Sequence, residues 1–187
     1  MDAFTIENIT LCDDNPMVLI AGPCVIESRD HCLFMAETLA KLARRVGVNL
    51  VFKSSYLKAN RSSIDSFVGP GVEDGLSILV EVKNETGVKA IVSDVHSIEQ
   101  VKPAAEVLDI IQIPAFLCRQ TQLLLAAAET GRVVNVKKGQ FLSPWDIKNI
   151  IKKVHSTGNK KVLITERGST LGYNNLEVDM RALDINK

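Results

Sequence analysis

Short runs of Val, Ile and Leu recur along the chain, and between them lie longer stretches in which apolar residues return every third or fourth position. Continuous apolar runs suit strands buried on both faces, whereas the longer spacing suits helices with one buried stripe. The pattern predicts strands over 17–21, 49–53, 90–93, 109–113, 132–136 and 161–165, preceded by an edge hairpin at 4–11. Helices are predicted over 30–46, 71–86, 97–108, 119–130 and 143–156. Strands alternating with helices in this way make a βα repeat around a parallel sheet. Gly47, Gly87, Gly131 and Gly158 follow four of the helices, where a residue tolerant of positive φ forms a C-terminal cap. Pro103 conflicts with the third helix: it has no N–H and crowds the preceding turn, so it should shorten or kink that segment.

A repeat of this kind fits either an open doubly wound sheet or a (β/α)8 TIM barrel, and the polar positions favour the second. Almost every strand runs into a polar cluster at its C-terminal end: Gly22-Pro23-Cys24, Lys53-Ser54-Ser55, Asp94-Val95-His96, Gln112 to Ala115, Lys137-Lys138 and Glu166-Arg167-Gly168. Chemistry contributed by so many strand ends belongs to the C-terminal face of a barrel rather than to a crevice between two loops. The expected class is therefore α/β, of the TIM-barrel family. A whole barrel takes about 250 residues. The 187 residues here hold about six βα units, read as a single partial-barrel domain over 1–187.

Composition narrows the partners. With 46% hydrophobic and 24% charged residues the chain is an ordinary folding sequence, neither disordered nor collagen-like. Lys plus Arg and Asp plus Glu both number 22, so no net field draws nucleic acid or an anionic membrane, and any basic site must be local. No apolar stretch approaches the roughly 18 residues needed to span a bilayer. Residues 1–10 lack a basic segment followed by an apolar one, which leads to the expectation of a cytoplasmic protein. Cys12, Cys24, Cys32 and Cys118 form no C-x-x-C pair and read as thiols in a reducing compartment.

The local basic site is visible. Lys53, Lys58, Arg61, Lys137 and Arg167 all fall at or just after strand ends, an arrangement that suits polyanions. Arg offers a planar fork to phosphate or carboxylate, and Lys a compact point charge. The alternative for any one of them is a solvated loop cation. Lys58, Asn60, Arg61, Ser62 and Ser63 could hold a sugar phosphate, or Ser62 or Ser63 could cap a helix with Asp65 and Ser66 partly completing the box. Asp94 and His96 could orient hydroxyls or move a proton, or Asp94 could be an N-cap. Pro114 ends its strand and leaves the N–H groups of Ala115 and Phe116 to face an anion. Cys24 could donate a thiolate to a soft or borderline metal, or be a buried inert thiol. His31, His155, Cys12, Cys32, Cys118 and Trp145 read as structural.

The segments LIAGPCVIES, VFKSSYLKANRSS, GPGVEDGL, SDVHS, IIQIPAFLCRQT, VNVKKGQFLSPWDI and ERGSTLGYNNLEVDM occur in that order. Over about 15–180 they resemble the 3-deoxy-D-manno-octulosonate 8-phosphate synthase family (2-dehydro-3-deoxyphosphooctonate aldolase). The resemblance implies a transferase that condenses phosphoenolpyruvate with D-arabinose 5-phosphate in lipopolysaccharide precursor synthesis, built as a TIM barrel and usually a homotetramer. By position it implies that Lys53, Lys137 and Arg167 bind phosphoenolpyruvate, with backbone contact from Ala115. Lys58 would lie near the reacting centre, Asn60, Arg61 and Ser62 would take arabinose 5-phosphate, and Asp94 and Gln112 would line the pocket. Lys58, Asp94 and Lys137 are the catalytic candidates, and Arg119 resembles an arginine that completes a neighbouring subunit's site. Cys24 places the chain with the metal-dependent branch, implying a divalent ion such as manganese, iron or zinc. In that family a His, a Glu and an Asp from the seventh and eighth strands complete the metal site, and this sequence stops before them. Two other readings stay open: a truncated, non-catalytic remnant of the family, and the related 3-deoxy-D-arabino-heptulosonate 7-phosphate synthase, which uses erythrose 4-phosphate. The latter usually reads Lys-Pro-Arg-Thr where Lys58-Ala59-Asn60-Arg61-Ser62-Ser63 stands here.

Overall fold

β1 (Phe4–Ile6) and β2 (Ile9–Leu11) pair antiparallel as the hairpin expected at 4–11. The computed structural model describes residues 3–12 and 14–186, so Met1 and Asp2 of the 1–10 stretch lie outside it. The chain divides into two compact units, Met1–Asp94 with Glu106–Ile110, and Val95–Ala105 with Ile111–Lys187.

In the first unit β3 (Val18–Ala21), α1 (Arg29–Val46), β4 (Asn49–Lys53), α2 (Val72–Glu85) and β5 (Ala90–Asp94) follow the hairpin. β3 pairs parallel with β4, and β4 with β5, Lys53 lying opposite Val92. Val51, Phe52, Ile91 and Val92 are wholly buried, which is why these strands read as unbroken apolar runs. α1 begins where Ser28 Oγ accepts the His31 N–H at 3.2 Å, and it ends at Gly47, whose φ of 73° closes the helix. Its buried stripe is Cys32, Ala36, Ala40 and Ala43, small residues that let neighbouring elements approach closely. Asp109 fastens the lower end of the unit. One of its carboxylate oxygens accepts Ile91 N–H at 2.8 Å; the other takes Lys83 Nζ at 2.8 Å, and the same ammonium reaches Glu7 of the hairpin at 3.3 Å.

α3 (Ile98–Val107) and β6 (Ile110–Ile113) lead into the second unit, followed by α4 (Thr121–Glu129), β7 (Val133–Lys137), α5 (Ile147–His155) and β8 (Val162–Thr165). β7 and β8 pair parallel, with Lys137 opposite Thr165. Each predicted strand is found within one residue of its expected bounds, and the βα alternation from β3 to β8 is that of the TIM-barrel α/β class, six strands of it. Gly87, Gly131 and Gly158 follow their helices at φ 75°, 72° and 88°, in the left-handed conformation expected of them.

Several expectations need correcting. α3 continues through Pro103 for 10 residues, because the carbonyl that loses its partner belongs to exposed Glu99 at the first turn. Ser62 and Ser63 cap no helix; Ser63 Oγ instead accepts Asp65 N–H at 3.3 Å in a local turn. Asp94 ends a strand rather than capping α3. The helix predicted from 143 opens with a single 3-10 turn, Pro144–Asp146, so Trp145 stands 60% exposed instead of packed. β9 (Ser169–Leu171), β10 (Asn175–Glu177) and α6 (Arg181–Ile185) were not predicted. Among the described residues no helix is long and apolar enough to cross a membrane.

Candidate functional site

The first unit gathers its chemistry where β4 and β5 end. Lys53 and Val92 are register partners, and Asp94, two residues after Val92, shares their face because side chains alternate along a strand. Beyond Lys53 the chain is held close to its neighbours: Ser54 N–H donates to Val92 O at 3.3 Å, Ile26 N–H to Ser55 O at 3.0 Å, and Tyr56 N–H to Ser93 Oγ at 3.3 Å. Gly22 makes this approach possible, since a Cβ there would collide with the carbonyl oxygen of Lys53.

These constraints join four side chains. Lys53 Nζ donates to Ser55 Oγ at 3.0 Å, Ser55 Oγ donates to Asp94 Oδ2 at 2.6 Å, and Lys58 Nζ lies 3.5 Å from the same oxygen. Ser55 is wholly buried, and the Lys58 and Asp94 side chains are only 13% and 7% exposed. One carboxylate therefore aligns two ammonium groups, and the local sum of the three charges is positive. At such low exposure an ion pair is weakly screened and geometrically fixed. Burial first, and the Asp94 charge second, push the Tyr56 phenol far above its ordinary range, which keeps that group neutral beneath the cluster. The arrangement can bind an anion and orient a hydroxyl or a proton.

From Tyr56 to Gly71 the chain makes an excursion whose ends are fastened together by Lys58 N–H to Val68 O at 2.7 Å and Gly71 N–H to Tyr56 O at 3.0 Å. Asn60, Arg61 and Ser62 are exposed on it, and Arg61 Nε donates to Phe67 O at 3.2 Å. Arg61, Ser66 and Phe67, with Val25 and Glu27, line an open cavity of about 520 Å³. Cys24 is a free, exposed thiol, not a buried one. Among the described residues no group of three His, Cys, Asp or Glu side chains is placed to hold a metal ion. A divalent ion takes four or more donors, so the Cys24 thiolate does not fit one by itself.

In the second unit Thr165 Oγ1 donates to Asn135 Oδ1 at 2.9 Å, and Asn135 Nδ2 to Gln112 Oε1 at 3.1 Å. Gln112 and Asn135 are buried, and Lys137 shares the face of Asn135 two residues along β7. Lys137 and Arg167 are each half-buried. Ala115 opens a single 3-10 turn after Pro114, Ala115–Leu117, whose first closing bond runs from Leu117 N–H to Pro114 O at 3.0 Å. Arg119 is exposed before α4, its carbonyl accepting Lys153 Nζ at 3.1 Å.

The structure thus joins Lys53, Lys58 and Asp94 in one cluster and ties Gln112 into another, while Asn60, Arg61, Ser62 and Arg119 stand exposed on loops. Ser55, Asn135, Thr165 and Lys138 were missed as site residues. Ser55 and Lys138 sit in polar clusters at strand ends, and that position was the available signal; Asn135 is a polar residue in an otherwise apolar strand.

A family model described as the DAHP synthetase I family matches residues 3–187. Over 181 residues the chain is 59% identical to 2-dehydro-3-deoxyphosphooctonate aldolase of Geobacter sulfurreducens, covering 97% of this chain and 66% of that one. Over 184 residues it is 55% identical to the protein of the same name from Syntrophotalea carbinolica, covering 98% of this chain and 66% of the relative. Over 169 residues it is 59% identical to the Trichlorobacter lovleyi aldolase, covering 90% and 62%. The chain spans just under two thirds of the length of these relatives.

Proposed function

The chain belongs to the DAHP synthetase I family, and we propose that it condenses phosphoenolpyruvate with D-arabinose 5-phosphate to give 3-deoxy-D-manno-octulosonate 8-phosphate and inorganic phosphate. The observation that carries this reading is the Lys53–Ser55–Asp94–Lys58 cluster, a buried carboxylate aligning two cations at strand ends. The names of the aldolase relatives support the choice of substrates. Zero net charge supports small substrates over nucleic acid or an anionic membrane, and a cytoplasmic setting belongs to the same proposal.

The two substrates together bring two phosphates, a carboxylate and an aldehyde. In this reading Lys53, Lys137 and Arg167 neutralise phosphoenolpyruvate, aided by the backbone at Ala115. Asn60, Arg61 and Ser62 receive the sugar phosphate, and Gln112 lines the pocket. C3 of phosphoenolpyruvate bonds to the aldehyde carbon, whose oxygen gains a proton, while water adds at C2. The C2–O bond to phosphate then breaks, leaving a ketone and inorganic phosphate. Lys58, held by Asp94, supplies positive charge where the aldehyde oxygen turns anionic, and Asp94 fixes the direction of the Lys58 and Ser55 protons. Positioning and electrostatics supply most of the acceleration. A divalent ion at Cys24 would serve as a Lewis acid and would require donors beyond that thiol. In a tetramer Arg119 would complete a neighbouring site.

The test is calorimetric titration of phosphoenolpyruvate into the chain, with phosphate release measured after adding arabinose 5-phosphate, manganese or chelator. Saturable binding, weakened at least about tenfold by Lys53→Met as expected for loss of a charged contact, and release with the pentose are expected. Release with erythrose 4-phosphate instead would reassign the sugar. Absence of phosphoenolpyruvate binding overturns the reading.

A further inference from the structure

Lys138 has no accessible surface, yet it carries an ammonium group. Its Nζ lies 3.1 Å from Leu142 O and 3.4 Å from Gly139 O in the segment after β7. In the segment after β8 it lies 3.1 Å from Gly168 O, 3.2 Å from Ser169 Oγ and 3.5 Å from Glu166 Oε1. An ammonium has three protons, so five acceptors saturate it, and a buried charge persists only when so ligated.

The Glu166 carboxylate has a second task. Its Oε1 accepts Arg167 N–H at 3.0 Å and Gly168 N–H at 2.6 Å, so the backbone of Arg167 is clasped by the group that pairs with Lys138. On the β7 side, Lys138 N–H donates to Thr165 O at 2.9 Å, extending the β7–β8 ladder by one bond past Lys137. Two half-buried cations of this unit, Lys137 and Arg167, therefore each adjoin a residue of one buried tie.

We propose that Lys138 is a positioning residue: its buried ammonium fastens the segment after β7 to the segment after β8 and thereby fixes where Lys137 and Arg167 present their charge to an anion. The inference deepens the phosphoenolpyruvate reading and rests on it. Lys138 cannot touch a ligand, being enclosed, so its effect reaches the anion only through its neighbours.

Such a residue is separated from a merely stabilising one by a double-mutant cycle on phosphoenolpyruvate affinity, measured by calorimetry with the 187-residue chain. Lys138→Met and Arg167→Gln should each weaken binding by roughly tenfold, the scale of one charged hydrogen bond. The double variant should bind no more weakly than the poorer single, because an Arg167 already out of place has little left to lose. Lys138→Met with Lys53→Met should multiply the two losses. Should Lys138→Met fail to fold, Glu166→Gln, which keeps the volume and removes the charge of the tie, enters the same cycles with the same expectation. Losses that multiply for the Arg167 pair as they do for the Lys53 pair overturn the inference while leaving the functional reading intact. Wild-type chain that binds no phosphoenolpyruvate overturns both.

Discussion

The Cys32 thiol lies fully inside the buried stripe of α1, and burial pushes it up from 9.0 to about 11. The folded chain holds this proton more tightly than the unfolded chain does, so the associated stability is complete below about pH 9 and is lost as the pH rises through about 11. At about 1.4 kcal/mol per pKa unit the loss is about 3 kcal/mol. Urea denaturation from pH 8 upward should show wild-type stability falling faster than that of Cys32→Ala; parallel curves would refute the assignment. Cys32 was legible as structural because it sits on a helical stripe with alanines. Ser55 was harder to read, since a serine after a lysine looks the same whether solvated or sealed between Lys53 and Asp94. Trp145 misled in the opposite direction, its place after Ser143-Pro144 at a helix start suggesting a packing residue on a turn that leaves it exposed.

Among elements, the approach of the β3 end to the β4 end depends on Gly22. A methyl group there meets the Lys53 carbonyl, so Gly22→Ala must push apart the backbone that presents Lys53. Stability should fall by about 1–3 kcal/mol, the usual cost of overpacking, and phosphoenolpyruvate affinity should fall with it. Gly131 is the control: a Cβ there meets nothing within 4 Å, and only its left-handed backbone opposes alanine. Gly131→Ala should cost about 1 kcal/mol and leave affinity unchanged in the same titration; equal affinity losses in both variants would remove the special role of Gly22. β4 to β7 were legible because burial on both faces leaves an unbroken apolar run, and the long helices because one buried stripe leaves a periodic trace; β3 and β8 show the same apolar run although they are only partly buried. β9, β10 and α6 leave no such trace, since they are short and almost wholly exposed. The excursion between Tyr56 and Gly71 is set by tertiary bonds at its two ends, which local capping rules do not register.

At the scale of the molecule, the homotetramer is a proposal that rests on the family resemblance alone, and it has a direct test. Sedimentation equilibrium should return four times the 20.5 kDa of one chain, and a monomer that persists at high concentration would refute this. The zero net charge removes one obstacle, because copies carry no long-range mutual repulsion. A preference for anions was legible at this scale because basic residues recur at successive strand ends in a chain with no overall charge, whereas the substrates were legible only through the family resemblance of the motifs. The enclosure of Lys138 has a further consequence for anyone probing the protein with amine-reactive reagents. Lys53 and Lys137 retain partial access to solvent, whereas the Lys138 amine has none until its surroundings open. The appearance of label at that one lysine is thus a clock for local opening of the second unit, readable by mass spectrometry without any ligand, substrate or assay of turnover.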